Sequence, residues 1–321
     1  MSALELSPVR YSALCLTHNC NLRCKYCYAG PKTRSSMSFD TGRRAMDFLA
    51  SASNGSCTIT FFGGEPLLEF ELIRRLVEYG EDRYGRKLSY RMSTNGTLLR
   101  RSTLDYCRRH DIYFVLSIDG NQQQHDANRR FAAGAGSYDS IVRRLDAVLD
   151  FNPYTMAVSV LTPETAGMVA SGVEHLFRTG FRYVLQTLDY SAQWENRDIK
   201  TLEKQYAALA RYYYDALRSG KKIYYSPFDE RIKTWAKKPY GKGDLCDLAH
   251  TQIAIAPSGR IYPCVQFIGG DGDEDQAQAI GNVFDGFDQV RRRRFIEENY
   301  ADKESCSGCA LAGRCATFCA L

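Results

Sequence analysis

Short runs of β-branched and aromatic residues alternate with longer stretches of helical period between Tyr11 and Gly220. The short runs predict strands, and the longer stretches predict amphipathic helices. Strands that alternate with helices form βα units, which build a parallel sheet. The predicted strands are Tyr11 to Leu16, Thr58 to Phe62, Ser89 to Ser93, Tyr113 to Ser117, Met156 to Leu161 and Tyr183 to Thr187, and the predicted helices are 40–52, 70–84, 102–110, 137–151, 164–179 and 199–218.

Six such units favour an incomplete (β/α)6 barrel over a closed eight-stranded one. The pattern changes after residue 222, where Pro227 and Pro239 predict a connector over 223–244. Gln252 to Ala256 and Arg260 to Pro263 then predict a β-hairpin. The expected organisation is therefore an α/β partial barrel over 1–222, the connector, and a small cysteine-rich domain over 245–321.

Composition and charge narrow the functional class. With 44% hydrophobic and 25% charged residues in 321, the chain is an ordinary globular protein. It lacks both an apolar run of membrane-spanning length and the apolar segment of a signal peptide, so we expect a cytoplasmic protein without membrane contact. A net charge of +5 is too small to indicate nucleic-acid binding. The basic run Arg291 to Arg294 is interpreted as a solvated helix face or, alternatively, as a site for an acidic partner.

The twelve cysteines carry the strongest chemical signal. In the cytosol they are unsuited to disulfides, because thiols are kept reduced there. Cys15, Cys57 and Cys107 fall in predicted strands or a helix and are expected to be buried small hydrophobes. The others form two arrays with an intervening pair: Cys20, Cys24 and Cys27; Cys306, Cys309, Cys315 and Cys319; and Cys246 with Cys264.

Three cysteines within eight residues leave a tetrahedral metal site one ligand short. Structural zinc needs four ligands, whereas a four-iron cluster held by three thiolates keeps one iron open to a small molecule. The array therefore favours an iron–sulfur cluster. His18 is an alternative fourth ligand.

The run Cys20-x3-Cys24-x-Tyr26-Cys27 resembles the signature of the radical S-adenosylmethionine (SAM) enzymes. The resemblance implies that the three cysteines hold a [4Fe-4S] cluster whose fourth iron chelates the amino and carboxylate groups of SAM. It also implies that an electron from the cluster cleaves SAM to methionine and a 5'-deoxyadenosyl radical, with Tyr26 against the adenine.

Two further motifs extend the resemblance. Gly63-Gly64-Glu65-Pro66 is similar to the GGEP motif that binds the SAM amino group in this family; a tight strand-to-helix turn is the alternative. By the same matching, Ser117 belongs to the SAM site and Arg129 pairs with the SAM carboxylate, with Arg130 as the alternative partner. Asp119, just after the predicted strand Tyr113 to Ser117, either belongs to the same SAM site or only caps a turn.

The C-terminal array, in the order Cys246-x12-Gly259-x4-Cys264 and then the last four cysteines, resembles the SPASM domain of peptide-modifying radical SAM enzymes. The resemblance implies that Cys246, Cys264 and Cys319 hold one auxiliary [4Fe-4S] cluster and that Cys306, Cys309 and Cys315 hold a second. The family's seventh cysteine has no counterpart before Leu321, so the expectation is either that the chain is truncated there or that the second cluster lacks a protein ligand and is unstable or absent. A four-cysteine zinc site in the last array is the alternative.

These resemblances imply a radical SAM/SPASM maturase that abstracts a hydrogen atom from a peptide or protein substrate and leaves a cross-link or an oxidised residue. The expected partners are that substrate, a flavodoxin- or ferredoxin-type electron donor, and a separate leader-recognition protein. The rival enzyme is an anaerobic sulfatase maturase, whose family carries an aspartate as a candidate base where this chain has Val265. The non-enzymatic alternative is a zinc or iron–sulfur binding protein.

Overall fold

The computed structural model describes residues 7–241, 244, 246–301, 304–311, 314 and 315. Parallel strands alternate with helices along the chain, so the predicted α/β fold with a parallel sheet is confirmed. The strands are β1 Tyr11–Cys15, β2 Cys57–Phe62, β3 Leu88–Thr94, β4 Tyr113–Ser117, β5 Met156–Leu161, β6 Tyr183–Leu188, β7 Tyr224–Tyr225, β8 Gln252–Ile255, β9 Arg260–Tyr262, β10 Gly281–Asn282 and β11 Gly286–Phe287.

The α-helices within the described residues lie between these strands and after them. They are α1 Phe39–Ala52, α2 Phe70–Tyr84, α3 Arg101–Arg109, α4 Gln122–Asn128, α5 Tyr138–Val142, α6 Leu145–Phe151, α7 Val169–Arg178, α8 Asn196–Arg218, α9 Ser226–Ala236 and α10 Gln289–Tyr300. The chain divides into two compact units, the first comprising Met1–Cys20, Tyr28–Met92 and Glu230–Leu321, and the second Asn21–Cys27 and Ser93–Asp229. The predicted division near residues 222 and 244 stays a prediction.

The first unit contains a sheet in the order β11-β10-β9-β8-β1-β2-β3. β1 pairs in parallel with both β2 and β8, and β8 to β11 form an antiparallel extension. Alternate residues of β2 are buried, and Phe61 stacks on Tyr90 of β3 at 5.7 Å between ring centroids. Helix α1 begins at the N-cap Ser38, whose side chain accepts a hydrogen bond from the Thr41 amide.

The second unit contains the parallel strands β4 to β7 in sequential order. Helix α7 presents an apolar face of Val169, Val173 and Leu176 and packs on α8. Because β4 and β5 are parallel, their carboxyl ends lie at the same edge of this sheet, and so do the loops that follow them. That edge carries the polar residues described below.

Three predicted elements differ from the observed ones. The helix predicted over 137–151 is broken at Arg143 and Arg144 into α5 and α6. The helix predicted over 164–179 begins as a 3-10 turn, Pro163–Met168, and Thr162 and Thr165 form a capping box at its start. The predicted connector contains β7 and α9, and Pro227 occupies the second position of α9, where a missing amide proton costs little.

The predicted hairpin is confirmed as β8 and β9, which pair antiparallel. The basic run on α10 was predicted as a solvated face, and this is wrong for Arg292, which is 4% exposed. Its guanidinium donates to the carbonyls of Ser7, Ala249 and His250. Three main-chain acceptors replace the water that this charge loses on burial.

None of the described helices has both the length and the hydropathy that a bilayer span requires.

Candidate active site

The Gly63-Gly64-Glu65-Pro66 run follows β2 and folds against residues 17–19, which lead into the cysteine triad. The Gly64 amide donates to the Thr17 carbonyl at 2.7 Å, and the Glu65 amide donates to the Asn19 carbonyl at 2.9 Å. A Cβ atom added at Gly64 would lie 2.1 Å from the Asn19 oxygen, and one at Gly63 would lie 2.5 Å from the Thr17 oxygen. The two glycines therefore allow the chain to approach itself at this point.

Glu65 is fully buried, and its Oε1 accepts a hydrogen bond from the Leu67 amide at 3.0 Å. Beside this run lies a small cavity whose lining includes Cys15, His18, Gly63, Gly64 and Val265. Because its other lining residues include Phe62 and Ile268, the cavity has a largely apolar wall. The valine that distinguishes this chain from the sulfatase-maturase pattern thus lies near the glycine run.

A buried polar group in the second unit joins Tyr26, Asp119 and Arg129. The Tyr26 hydroxyl donates to Asp119 Oδ2 at 2.6 Å, and Arg129 Nε donates to Asp119 Oδ1 at 3.1 Å. Asp119 Oδ1 also accepts from the Val160 amide at 3.1 Å. Asp119 therefore organises the loop after β4 and does not simply cap a turn.

The charges of this group support one another. Burial and the Asp119 carboxylate raise the pKa of Tyr26 well above its ordinary value, so its hydroxyl remains a hydrogen-bond donor. Burial opposes the charge of Arg129, but the Asp119 carboxylate outweighs it and holds the pKa of Arg129 above its ordinary value. Arg129 Nη1 also donates to Cys24 Sγ at 3.8 Å, so the guanidinium links the cysteine array to Asp119.

The segment that carries Cys24 is held by main-chain and amide hydrogen bonds. The Arg23 amide donates to the Arg130 carbonyl at 2.7 Å, and the Lys25 amide donates to the Asn128 carbonyl at 3.1 Å. Farther along, Asn21 Nδ2 donates to Thr97 Oγ1 at 2.8 Å, and Asn95 Nδ2 donates to Asn21 Oδ1 at 2.9 Å. Asn95 and Thr97 after β3, together with main-chain carbonyls at the end of α4, thus brace the cysteine segment.

Ser117 and Arg130 differ in their surroundings from Arg129. Ser117 is partly buried at the end of β4, in register with Val158 of β5. Arg130 is exposed and donates to the Gly134 carbonyl at 3.1 Å. Of the two arginines that the sequence offered, Arg129 is the one that belongs to the buried polar group.

The three cysteines of the N-terminal array fall in both units, with Cys20 in the first and Cys24 and Cys27 in the second. No group of three or more His, Cys, Asp or Glu side chains among the described residues is arranged to hold a metal ion. The donor set nevertheless fits an iron–sulfur cluster, because three thiols lie within eight residues and the described cysteines form no disulfide. The ligand assignment stays a prediction.

The described C-terminal cysteines lie outside the strands and α-helices of the first unit. Cys264 Sγ accepts from the Gln266 amide at 3.4 Å, and the Cys246 carbonyl accepts from Asn299 at 2.5 Å. Cys306, Cys309 and Cys315 are exposed; the Cys309 amide donates to the Cys306 carbonyl at 3.2 Å. Cys319 lies outside the described residues.

The remaining cysteines are confirmed as buried. Cys15, Cys57 and Cys107 are at most 5% exposed, and burial raises the pKa of each thiol to about 12. Sequence patterns alone did not indicate that His125 and Ser137 also belong to the buried group around Asp119. Nothing in the sequence indicated Ser137. For His125 the one indication was its position four residues before Arg129, a spacing that places His125 and Arg129 on one side of a helical turn.

Residues 14–174 match the family model of the Radical SAM superfamily. The chain belongs to this superfamily. Among the relatives of this radical SAM enzyme, an uncharacterized protein of Methanocaldococcus jannaschii is 30% identical over 177 residues, which cover 55% of this chain and 61% of that protein. The cysteine-type anaerobic sulfatase-maturating enzyme of Clostridium perfringens strain ATCC 13124 is 22% identical over 94% of this chain and 85% of its own length.

Solved structures share the fold of this radical SAM enzyme. Native anSMEcpe with bound AdoMet (SAM) and Cp18Cys peptide has a TM-score of 0.81 and 20% identity over 96% of this chain and 88% of that chain. Streptococcus suis SuiB bound to precursor peptide SuiA has a TM-score of 0.61 and 14% identity over 98% of this chain and 72% of that chain. The fold is therefore that of radical SAM maturases.

Proposed function

We propose that this radical SAM enzyme is a peptide maturase that uses SAM to abstract a hydrogen atom from a peptide or protein substrate. The observation that carries the proposal is the buried group in which Arg129 contacts both Cys24 and Asp119. A buried guanidinium beside a thiol suits a carboxylate ligand that must lie next to a thiolate-held cluster. A structural zinc site has no need of such a cation.

Separate sets of residues would bind the cluster and SAM. Cys20, Cys24 and Cys27 would hold the [4Fe-4S] cluster, which together with SAM supplies an electron and the 5'-deoxyadenosyl radical that abstracts hydrogen. Gly63, Gly64 and Glu65 would accept the SAM ammonium group through carbonyl and carboxylate oxygens. Ser117 and Arg129 would contact the SAM carboxylate, and Tyr26 would lie against the adenine.

The C-terminal domain would carry one or two auxiliary clusters. Cys246, Cys264 and Cys319 are assigned to the first and Cys306, Cys309 and Cys315 to the second. Their thiols are soft donors, and the exposure of the second set leaves room for a cluster at the surface. These clusters would receive the second electron of an oxidative reaction. A flavodoxin- or ferredoxin-type protein would donate the electron that reduces the SAM-binding cluster.

A peptide substrate is supported by the related structures, since anSMEcpe and SuiB each have a peptide bound. Formylglycine formation in a sulfatase is the second candidate, because the chain resembles a sulfatase-maturating enzyme over 94% of its length. Val265 argues against it: an aliphatic side chain near the glycine run can neither accept nor donate a proton.

Mass spectrometry of peptides after anaerobic turnover tests the proposal. The cluster-loaded enzyme is incubated with SAM, a reductant and two peptide sets: sulfatase-derived peptides with a Cys or Ser target, and short precursor peptides encoded beside the gene. We expect a mass loss of hydrogen atoms in a precursor peptide. Conversion of the sulfatase peptide alone would favour the second candidate, and colourless protein rich in zinc would contradict both.

A further inference from the structure

His125 is fully buried on α4 and has a hydrogen-bond partner at each ring nitrogen. Its Nδ1 lies 3.3 Å from the Asp119 amide nitrogen. Its Nε2 lies 2.9 Å from Ser137 Oγ, which in turn lies 2.9 Å from the Arg129 carbonyl oxygen. The imidazole therefore connects the main chains of the two residues that form the buried ion pair.

The chemistry of these partners fixes the protonation of the ring. A serine hydroxyl has one proton, and Ser137 must give it to the Arg129 carbonyl, which can only accept. Nε2 of His125 is therefore the donor toward Ser137. The Asp119 amide donates to Nδ1, which must carry no proton. Only the neutral Nε2–H form satisfies all three hydrogen bonds, since a charged ring would place two donors face to face at Nδ1.

Ser137 is itself held independently of His125. Asp126 Oδ1 accepts from the Ser137 amide at 2.8 Å and from the Tyr138 amide at 3.0 Å. A Cβ atom at Gly136 would lie 2.2 Å from Asp126 Oδ2, so the loop closes tightly on this carboxylate. Because the loop has its own anchor, replacing His125 breaks the link between Ser137 and the Asp119 amide and leaves the Ser137 hydrogen bond to the Arg129 carbonyl in place.

We propose that His125 is a positioning residue that, as a neutral Nε2–H imidazole, holds Asp119 and Arg129 at the distance needed to bind the carboxylate of SAM. The proposal rests on the proposed function, which assigns Arg129 to that carboxylate. It is supported by the surroundings of the ring, which accepts from the Asp119 amide and packs edge-on against Tyr138 at 5.8 Å between ring centroids, while the Asp119 carboxylate binds Arg129. Burial and the charge of Arg129 lower the pKa of His125 to about 3, so the neutral form persists at physiological pH.

The first test reads the ring directly and needs no activity. The full-length protein is labelled with ¹⁵N-histidine, and the His125 signals are assigned by their loss in His125→Gln. Nitrogen resonances at neutral pH should show a bare Nδ1 and a protonated Nε2. A protonated Nδ1 would overturn the proposal, because the Asp119 amide would then have no acceptor.

The second test measures SAM affinity in the cluster-loaded enzyme by equilibrium dialysis. His125→Phe removes both hydrogen bonds and should weaken SAM binding about tenfold, the effect of roughly 1.4 kcal/mol. Ser137→Ala removes the hydrogen bonds of Ser137 to His125 and to the Arg129 carbonyl and should weaken SAM binding by a similar factor. Ser137→Thr, which keeps the hydroxyl, should retain wild-type affinity. His110→Phe, which replaces a histidine stacked on Tyr106 in the same unit, is the matched control.

Steady-state kinetics then separates positioning from a general structural defect. The KM for SAM should rise in His125→Phe while the KM for the peptide stays unchanged. A folded His125→Phe enzyme with wild-type SAM affinity would overturn the proposal. Wild-type enzyme with full clusters that binds no SAM would instead refute the proposed function, and the nitrogen resonances would still decide whether His125 holds Asp119 and Arg129.

Discussion

At the residue scale, hydrogen-bonding capacity and steric contact decide what each side chain does. Asp119 has two oxygens and uses them for Tyr26, Arg129 and the Val160 amide. The ion pair is 9% and 0% exposed at its two side chains, so water does not compete for it. Breaking one partner of such a pair would leave a buried charge uncompensated.

Gly64→Ala tests the close approach between the GGEP run and residue 19. The new methyl group would lie 2.1 Å from the Asn19 carbonyl oxygen, a main-chain atom that cannot rotate away. We expect a loss of about 3 kcal/mol in the free energy of unfolding, measured by urea denaturation. Gly167→Ala is the control, since its nearest atom would be a Thr201 methyl at 3.9 Å. Equal stability of the two variants would contradict this contact.

His125 should make stability depend on pH. Its pKa is about 3 in the folded protein and about 6.5 in an unfolded chain. Between these values the unfolded state binds one more proton, so stability is complete above about pH 6.5 and falls as pH decreases. From pH 6 to 5, wild type should lose about 1 kcal/mol more than His125→Gln in urea titrations. Parallel curves for the two proteins would show that the ring titrates normally.

Residue roles were predictable where a motif fixed them and not where the contact is distant in sequence. The cysteine arrays could be selected from local spacing, and the glycine run and Arg129 from their resemblance to motifs of the family. The roles of Asp119 and His125 could not, because Tyr26 is 93 positions from Asp119 and Ser137 is 12 positions from His125. A buried network of this kind depends on the fold bringing its members together.

At the element scale, periodicity predicted most helices and strands closely. Strands β4 and β5 and helix α2 have the predicted bounds, since each is a long or strongly alternating run between turn residues. Helix α9 was not predicted, because Pro227 was interpreted as a helix breaker, although proline is well tolerated at the start of a helix. The prediction of a solvated face on α10 was wrong for Arg292, because charge alone does not reveal that main-chain carbonyls surround this side chain.

Arg292→Met tests the role of α10 in holding the strand region before β8. The variant leaves the carbonyls of Ser7, Ala249 and His250 without their donor. We expect the free energy of unfolding to fall by about 3 kcal/mol in urea denaturation. Arg293→Met, at an exposed position of the same helix, should change it by less than about 0.5 kcal/mol. Similar losses in both variants would mean that α10 depends on its overall charge.

At the scale of the whole molecule, the radical SAM enzyme carries two sets of cysteines for which we propose different roles. In the N-terminal set, Cys24 contacts the buried Arg129, and the described cysteines of the C-terminal set lie outside the strands and α-helices of the first unit. Because two or three four-iron clusters are proposed, anaerobic reconstitution should give a brown protein with about 8 to 12 irons. Metal analysis checks this count, and a single zinc in place of iron would contradict it.

Replacing one C-terminal cysteine separates the two sets. Cys309→Ala should retain SAM cleavage and lose most peptide turnover, because Cys309 is assigned to an auxiliary cluster and not to the SAM site. Both activities are measured in the same reaction, with 5'-deoxyadenosine followed by chromatography and peptide by mass spectrometry. Parallel loss of both would show that the cysteine sets do not act separately.

The most direct test of the central claim is the release of 5'-deoxyadenosine after reduction of the iron-loaded protein with SAM. The claim is that Cys20, Cys24 and Cys27 hold a cluster with one iron open to SAM. Wild type should release 5'-deoxyadenosine even without a peptide, and Cys24→Ala should release none. Fully loaded wild-type protein that leaves SAM intact, or a Cys24→Ala variant that cleaves it as fast as wild type, would contradict the account.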